Sequence, residues 1–439
     1  MAVTTKINNA EYEYEYTISN NTGTLELQDS AVEYLELDDN VFSPFMGGMI
    51  KIADQFNTSQ GKFMFRGDGT DILHVKLKPV LNPDKAVDYT FVLNEERNET
   101  DMKDIAGNSK VFTFMDIDEA KFRVRFAYSK KAQGKVGDVL RELLEGYELP
   151  VDKNNFESGD LSISAIPHAF IPGINYRILD YIFYLLKYAY KKDGEVANKL
   201  FLSKEDKGYT FKSLAQLFEK NKELVYEAFN SGDLVDGALN PNTNNPPPEA
   251  PYKPYLNNLA SYNFSAPPLP INNTFYMNTL VVGYDPILGT TKMFELRLKD
   301  VLKRWKTKFV DVFSSIGGKT KSCVNLTDVK KEGEFKVYSL PFKFEDCVNI
   351  AEADLVNNLI FTNLQMAMIV DGDLGRKAGT FIDIFKLKTD GNKVDSKILG
   401  RWLVTSVSHK KSLQIYRNEI VCMKAYAGPT FKEQDGTIE

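Results

Sequence analysis

The sequence predicts an α+β protein that is mainly β, with β domains towards both ends and mixed α+β segments between them. Three observations carry this. Stretches near both ends alternate apolar and polar residues: Ile72, His74 and Lys76 stand against Leu73, Val75 and Leu77, the period of two that a half-buried strand requires. Between these stretches the period changes to that of amphipathic helices. Finally, residues 69–78, "GTDILHVKLK", return as residues 379–388, "GTFIDIFKLK". At 439 residues the chain exceeds one ordinary core, and two to four domains are expected.

The first element is the stretch Glu26–Asp54, with apolar-rich runs at Val32–Leu37 and Met49–Ala53. Phe42, Phe45, Met46, Met49 and Ile50 recur at helical spacing, but Pro44, Gly47 and Gly48 fall inside the window. An interior proline costs a helix ~3 kcal/mol and each glycine about 1. The prediction is therefore strand, tight apolar corner, strand, with Gly47–Gly48 giving the corner its backbone freedom. "KFMF" then leads through "RGDGT" into the alternating strand "DILHVKLK", and "YTFVLNEE" and "KVFTFMDIDE" read as a hairpin. The first β domain is placed at 1–127.

Val136, Val139, Leu140, Leu143, Leu144 and Tyr147 then mark an amphipathic helix, stopped around Gly146 and Pro150. A second helix is expected over Tyr176–Tyr190, a strand pair in "KLFLSKEDKGYTF", and a third helical pattern over Leu214–Phe229. Residues 128–230 form the α+β domain. Half of the chain's 18 prolines lie between Pro241 and Pro270, mixed with asparagine. Such a run holds neither ladder nor helix, so residues 231–262 read as an extended linker or loop. A ligand for a proline-recognition domain is its functional alternative.

"TFYMNTLVVGYD" returns to strand pattern. Val301, Leu302, Trp305, Phe309, Val312 and Phe313 then form a helical stripe backed by a basic face, within a segment at 299–344. A short helix flowing into a strand follows in "CVNIAEADLVNNLIFTNLQMAMIVDGD". "TFIDIFKLK", "GRWLVTSVSHK" and "YRNEIVCMKAY" close the chain as three strands. The second β domain is placed at 263–298 and 345–439.

In the repeated decapeptide Gly69, Thr70, Ile72, Lys76, Leu77 and Lys78 recur as Gly379, Thr380, Ile382, Lys386, Leu387 and Lys388. Each copy follows an apolar strand ("KFMF"; "QMAMIV") and a glycine–aspartate turn, and precedes a strand pair. A duplicated β domain follows, with Leu77 and Leu387 expected to be buried at equivalent positions.

The opening "VFSPFMGGMIKIAD" resembles that of baseplate hub proteins from contractile-tailed bacteriophages, relatives of tail-tip hubs and type VI secretion spikes. The order of the next elements (strand, helix, "IPHAFIPG" loop, long helix, hairpin) is similar to the domain that follows in those hubs. The resemblance implies two related tube-like antiparallel β-barrel domains per chain and a homotrimeric structural ring, located in the tail baseplate of a virion and made in the host cytoplasm. It implies as partners the tail spike, the tail tube or tube-initiator protein, baseplate wedge proteins and the tape measure protein, with transient, non-specific passage of DNA.

Net charge is −6 and the pI about 5.5, which disfavours stable nucleic-acid binding through a broad basic surface. The N-terminus has no apolar core of signal-peptide length. The most apolar segment, Ile178–Tyr190, holds Asp180 and Lys187 and is shorter than the ~20 residues a membrane span needs, so no membrane insertion is expected. Cys323, Cys347 and Cys422 have no metal-ligand spacing and read as free packing thiols.

The histidines are His74, His168 and His409, and no metal, nucleophile, phosphate or dinucleotide motif is present. Asp68, Asp371 and Asp373 lie in glycine turns without the ligand series of a calcium loop, and Arg66-Gly67-Asp68 reads as a turn. No catalytic, cofactor-binding or metal residue is predicted, and no enzyme. The alternative is a tail-associated cell-wall-degrading enzyme, a glycoside hydrolase or peptidase, whose carboxylate pair the sequence does not single out.

Overall fold

The computed structural model describes residues 12–53, 65–80, 84, 86–100, 108–125, 134–163, 177–194, 196–205, 207–213, 216–217, 225–230, 257–265, 278–285, 289–297, 334–338, 344–361, 364–385, 400–412 and 415–424. The chain opens with seven strands: β1 (Tyr12–Asn20), β2 (Gly23–Leu27), β3 (Val32–Asn40), β4 (Ser43–Ala53), β5 (Ile72–Pro79), β6 (Val87–Thr100) and β7 (Asn108–Asp116). They pair in the order β2-β1-β5-β6-β7-β4-β3, each ladder antiparallel. On β5, Leu73, Val75 and Leu77 are buried while His74 is exposed, as the alternation requires. One apolar core takes residues from all seven strands, Ile18, Leu25, Leu37, Ile50, Val75, Phe91 and Phe114 among them. A sheet whose two ends and middle share one core must wrap around it.

The helical layer comes next. It holds α1 (Ile117–Val124), β8 (Gly134–Lys135), α2 (Val136–Gly146), β9 (Val151–Phe156), β10 (Ser162–Ile163), α3 (Ile178–Tyr188), β11 (Tyr190–Asp193), β12 (Val196–Glu205) and β13 (Gly208–Ser213). A four-stranded sheet runs β11-β12-β13-β9, and β8 pairs β10. Val136, Leu140 and Leu144 of α2 and Ile178, Ile182 and Leu185 of α3 bury against Leu200, Leu202 and Phe211. Helical periodicity therefore placed these two helices well.

The remaining elements are β14 (Val225–Asn230), β15 (Asn257–Ser265), β16 (Asn278–Asp285), β17 (Thr290–Arg297), β18 (Glu334–Tyr338), α4 (Phe344–Phe361), β19 (Leu364–Asp371), β20 (Phe381–Phe385), β21 (Gly400–Ser412) and β22 (Ile415–Lys424). β17-β16-β18 form a small separate sheet. The other strands close a ring, β21-β20-β14-β15-β19-β22 and back to β21. Its interior is filled by Met366, Met368, Ile382, Trp402, Val404 and Ile420. Of its strands only β14 lies parallel to its neighbours. The fold is α+β and mainly β, as predicted.

The two β regions share a connectivity. Consecutive strands β4, β5, β6 and β7 pair in the order β5-β6-β7-β4, and β19, β20, β21 and β22 in the order β20-β21-β22-β19. The strand standing where β19 stands is thus β4. "KFMF" lies outside the described residues except for Phe65, as do Lys386, Leu387 and Lys388.

Several local expectations differ from the structure. The corner between β3 and β4 falls at Val41–Phe42, and Gly47 and Gly48 lie inside β4. A Cβ on Gly48 would stand 1.9 Å from the Glu36 carbonyl oxygen, so glycine is needed there for close strand approach. Val225–Phe229, the end of the helical pattern expected over Leu214–Phe229, lies in strand β14, whose β-branched and aromatic residues Val225, Tyr226 and Phe229 favour the parallel ladder it forms with β20. The proposed linker at 231–262 overlaps β15, which pairs β19 through Leu259, Ser261 and Tyr262. The reason is local: no proline lies within 257–265, so that part of the window keeps every ladder donor. Helix α1 was not foreseen; Asp116 caps it by accepting from the Asp118 N–H at 2.7 Å. α4 is also longer than the short helix expected. The 301–313 stripe, Pro241–Pro254, His168 and Cys323 lie outside the described residues. Cys347 and Cys422 are buried, and burial pushes the Cys347 thiol up to about 11.

Candidate functional site: the joint between the two β regions

One strand belongs to both β regions. The first residues of β21 pair β20, Leu403 facing Phe381 and Trp402 facing Ile382. Its last residues, Ser406–Ser412, pair β3 along the same edge, from Asn40 back to Tyr34. β22 covers the other edge from Leu403 to Ser412. Between the two halves Thr405 is an extra residue, opposed by no residue of β22. Such a bulge reverses which parity faces inward. Trp402 and Val404 lie in the ring core before the bulge and Val407 lies in it after, with His409 and Lys411 buried further along the same parity. Thr405 is tied at the joint: its carbonyl accepts the Val41 N–H at 2.9 Å and its hydroxyl donates to the Val421 carbonyl at 2.9 Å.

The inner side of the joint is polar and closed. Lys411, only 2% exposed, donates to Asp29 Oδ1 at 2.5 Å and lies over the rings of Tyr14 and Tyr16, 4.7 and 5.6 Å from their centroids. Two residues earlier His409 Nδ1 meets the Asn418 amide nitrogen at 2.8 Å and the Tyr416 hydroxyl at 2.7 Å. Asn418 Oδ1 accepts from Arg376 Nη1 at 2.5 Å and from the Asp373 N–H at 2.7 Å, which fixes its nitrogen towards His409. His409 Nδ1 must therefore be an acceptor, and the ring is neutral. Burial, with the Arg376 charge beside it, drops its pKa to about 4. Arg376 also donates to the Asp371 carbonyl.

The segment 372–380 enters the same joint. Leu374 joins the core of the N-terminal strands, as does the half-buried Tyr416, whose ring meets Tyr12 edge-on at 4.9 Å. Asp39 accepts the Ala378 N–H at 2.8 Å, and burial raises its pKa. On the outer side Lys410 sits between Glu36 (3.2 Å) and Glu419 (2.7 Å), and Ser408 donates to Asp38 at 2.5 Å.

A cleft of about 710 Å³ opens between this joint and the helical layer, with Asn40, Pro44, Tyr89, Lys204, Lys377 and His409 on its walls. At its far wall Lys204 bridges Asp116 at 3.1 Å and Asp118 at 2.8 Å, and Tyr209 donates to Asp118 at 3.1 Å. Burial raises the Asp116 pKa; for Asp118 burial is outweighed by Lys204, and the pKa falls. The helical layer meets α4 through Tyr190, which donates to Asp346 at 2.6 Å, and through Lys199 with Asp354 at 2.9 Å.

Of the residues weighed in the sequence, the structure brings His409, Asp371 and Asp373 together at this joint. His74 stands apart on the exposed face of β5, 3.2 Å from the Thr90 hydroxyl. Asp68 accepts from its own turn, from the Thr70 N–H and hydroxyl, while buried Asp71 holds the Arg66 and Gly67 N–H groups. Lys411, Asn418 and Arg376 were not singled out. Their signal was weak but present: Lys411 and Asn418 fall on the same alternation as Val407 and Ile420. Among the described residues no group of three or more His, Cys, Asp or Glu could hold a metal ion, and no helix is long and apolar enough to cross a membrane. The side chains at the joint hydrogen-bond to one another; their chemistry is to hold.

No protein-family model matches the chain, and no curated protein does. Solved structures do match it. A tail protein from Neisseria meningitidis MC58 is similar at 10% identity and a TM-score of 0.52, over 94% of this chain and 96% of that one. The 43 kDa tail protein of prophage MuSo2 from Shewanella oneidensis is similar at 8% identity and a TM-score of 0.54, over 94% and 99%. At such identities the likeness is one of fold, and it spans nearly the whole of each chain. The likeness to phage tail proteins expected from the opening motif is present at that level.

Proposed function

We propose that this protein is a structural hub of a phage tail. Three copies form a ring that joins the tail tube to the central spike and leaves a channel for DNA. The observation that carries the reading is the repeated connectivity, β5-β6-β7-β4 and β20-β21-β22-β19, within a fold matched over its length by tail proteins. Two like units per chain and three chains make six nearly equivalent units, on which a sixfold tube can stack while a threefold spike seats opposite. Such a ring closes by head-to-tail contacts between unlike faces, since self-complementary contacts stop at a dimer.

In this reading the β units arose by duplication, β4–β7 within 1–127 and β19–β22 within 345–439. Its neighbours are the spike, the tube or tube-initiator, wedge and tape measure proteins, and the protein resides in the virion. The role is structural and needs no catalytic group. Imaging of purified particles with this chain tagged tests it: a density at the tube–spike junction supports the hub, and label elsewhere refutes it. Zymography on the purified chain tests the enzymatic alternative.

A further inference from the structure

We propose that β21 makes one mechanical body of the two β regions, so that the assembled protein changes shape only between copies or at the helical layer. The rigidity rests on how the two regions are joined; where an assembly moves rests on the proposed ring.

A hinge between two domains needs a seam that few contacts cross. Here the seam is crossed by a continuous ladder, Ser406–Ser412 on Asn40–Tyr34, contributed by the same strand that pairs β20 in the ring. The core of the N-terminal strands is completed by Leu374, with Tyr416 packed against it, from the C-terminal part of the chain. Lys411 is buried on Asp29 and two tyrosine rings of β1, and Asp39 of β3 holds the Ala378 N–H. Opening the seam would expose Leu374 and Lys411's apolar stem, break the ladder and part Lys411 from Asp29, Lys410 from Glu36 and the Ala378 N–H from Asp39 at once. Losses that fall together make the unit cooperative. In a ring of such chains, widening or twisting would have to take place where one copy meets the next.

Hydrogen exchange on the intact, full-length protein tests this. The amides of Ser406–Ser412 and of β3 should exchange with those of β5 and of ring strand β19, with protection agreeing to on the order of tenfold. Exchange of Ser406–Ser412 well ahead of both regions would overturn the proposal. A second arm uses Lys411→Met, which removes the Asp29 contact. Its thermal midpoint should fall while the β signal is lost in one transition, as in the parent. A split transition, with the ring persisting after the N-terminal strands have melted, would overturn the proposal, and so would a split in the parent protein.

Discussion

Gly69 and Gly379 hold the same left-handed backbone, with φ of 81° and 82°, three residues before β5 and two before β20. Ile72 faces Val92 across the first pair and Ile382 faces Trp402 across the second, at the same interval from those glycines. Neither glycine is crowded: nothing lies within 4 Å of a Cβ built on Gly69, and only the Val41 side chain, at 4.0 Å, near one on Gly379. The requirement at both is backbone conformation alone. Gly69→Ala and Gly379→Ala should each cost about 1–2 kcal/mol, the left-handed penalty of an L-residue. Denaturant unfolding checks it; a cost at one site and none at the other would show that the likeness is superficial.

Gly48→Ala is a different case. Its Cβ would strike the backbone of Glu36, which no rotamer change relieves. The loss should reach about 3 kcal/mol or more, the upper range of overpacking. A Gly48→Ala protein as stable as the parent would mean that β3 and β4 pair otherwise than described.

His409 sets a pH dependence. Its pKa is lowered from 6.5 to about 4, so the unfolded chain binds the proton more readily between those values. The stabilisation is complete above pH 6.5 and is lost as pH falls through 4, about 3 kcal/mol in all. Asp39 and Asp371, raised by burial, act in the opposite sense at the acid end. The comparison is therefore with His409→Gln, whose stability should fall less between pH 7 and pH 4 than the parent's. Parallel profiles would exclude His409 as the source.

Lys204 holds the helical layer to the end of β7. Its side chain is 38% exposed, so the pair is screened, and Lys204→Met should cost about 1–2 kcal/mol. Most of that should vanish in a background of Asp118→Asn, since the penalty is largely that of the carboxylates left behind. A double-mutant cycle measures it, and additive costs would contradict the contact.

The fold was legible where a single period governs a segment. Leu73, Val75 and Leu77 announce β5, and Val136, Leu140 and Leu144 announce α2. What stayed hidden depends on neighbours rather than on period. Alternation says which face of a strand is buried but not which strand lies beside it. Nothing in "WLVTSVSHKK" reveals that Thr405 reverses the inward parity, or that the strand pairs β20 and then β3 along one edge. The joint was hidden for a related reason: His409, Lys411, Asn418 and Arg376 are polar, and a polar residue on an inward parity reads as surface. Gly48 misled because a glycine demanded by close strand approach resembles one demanded by a turn.

The hub reading stands on a ring of three chains that supplies six like β units. Counting the copies of this chain in purified tails, by quantitative mass spectrometry against a tail protein of known copy number, tests it most directly. The account predicts three copies per tail. Six copies would contradict it, because each chain would then supply only one unit of the ring.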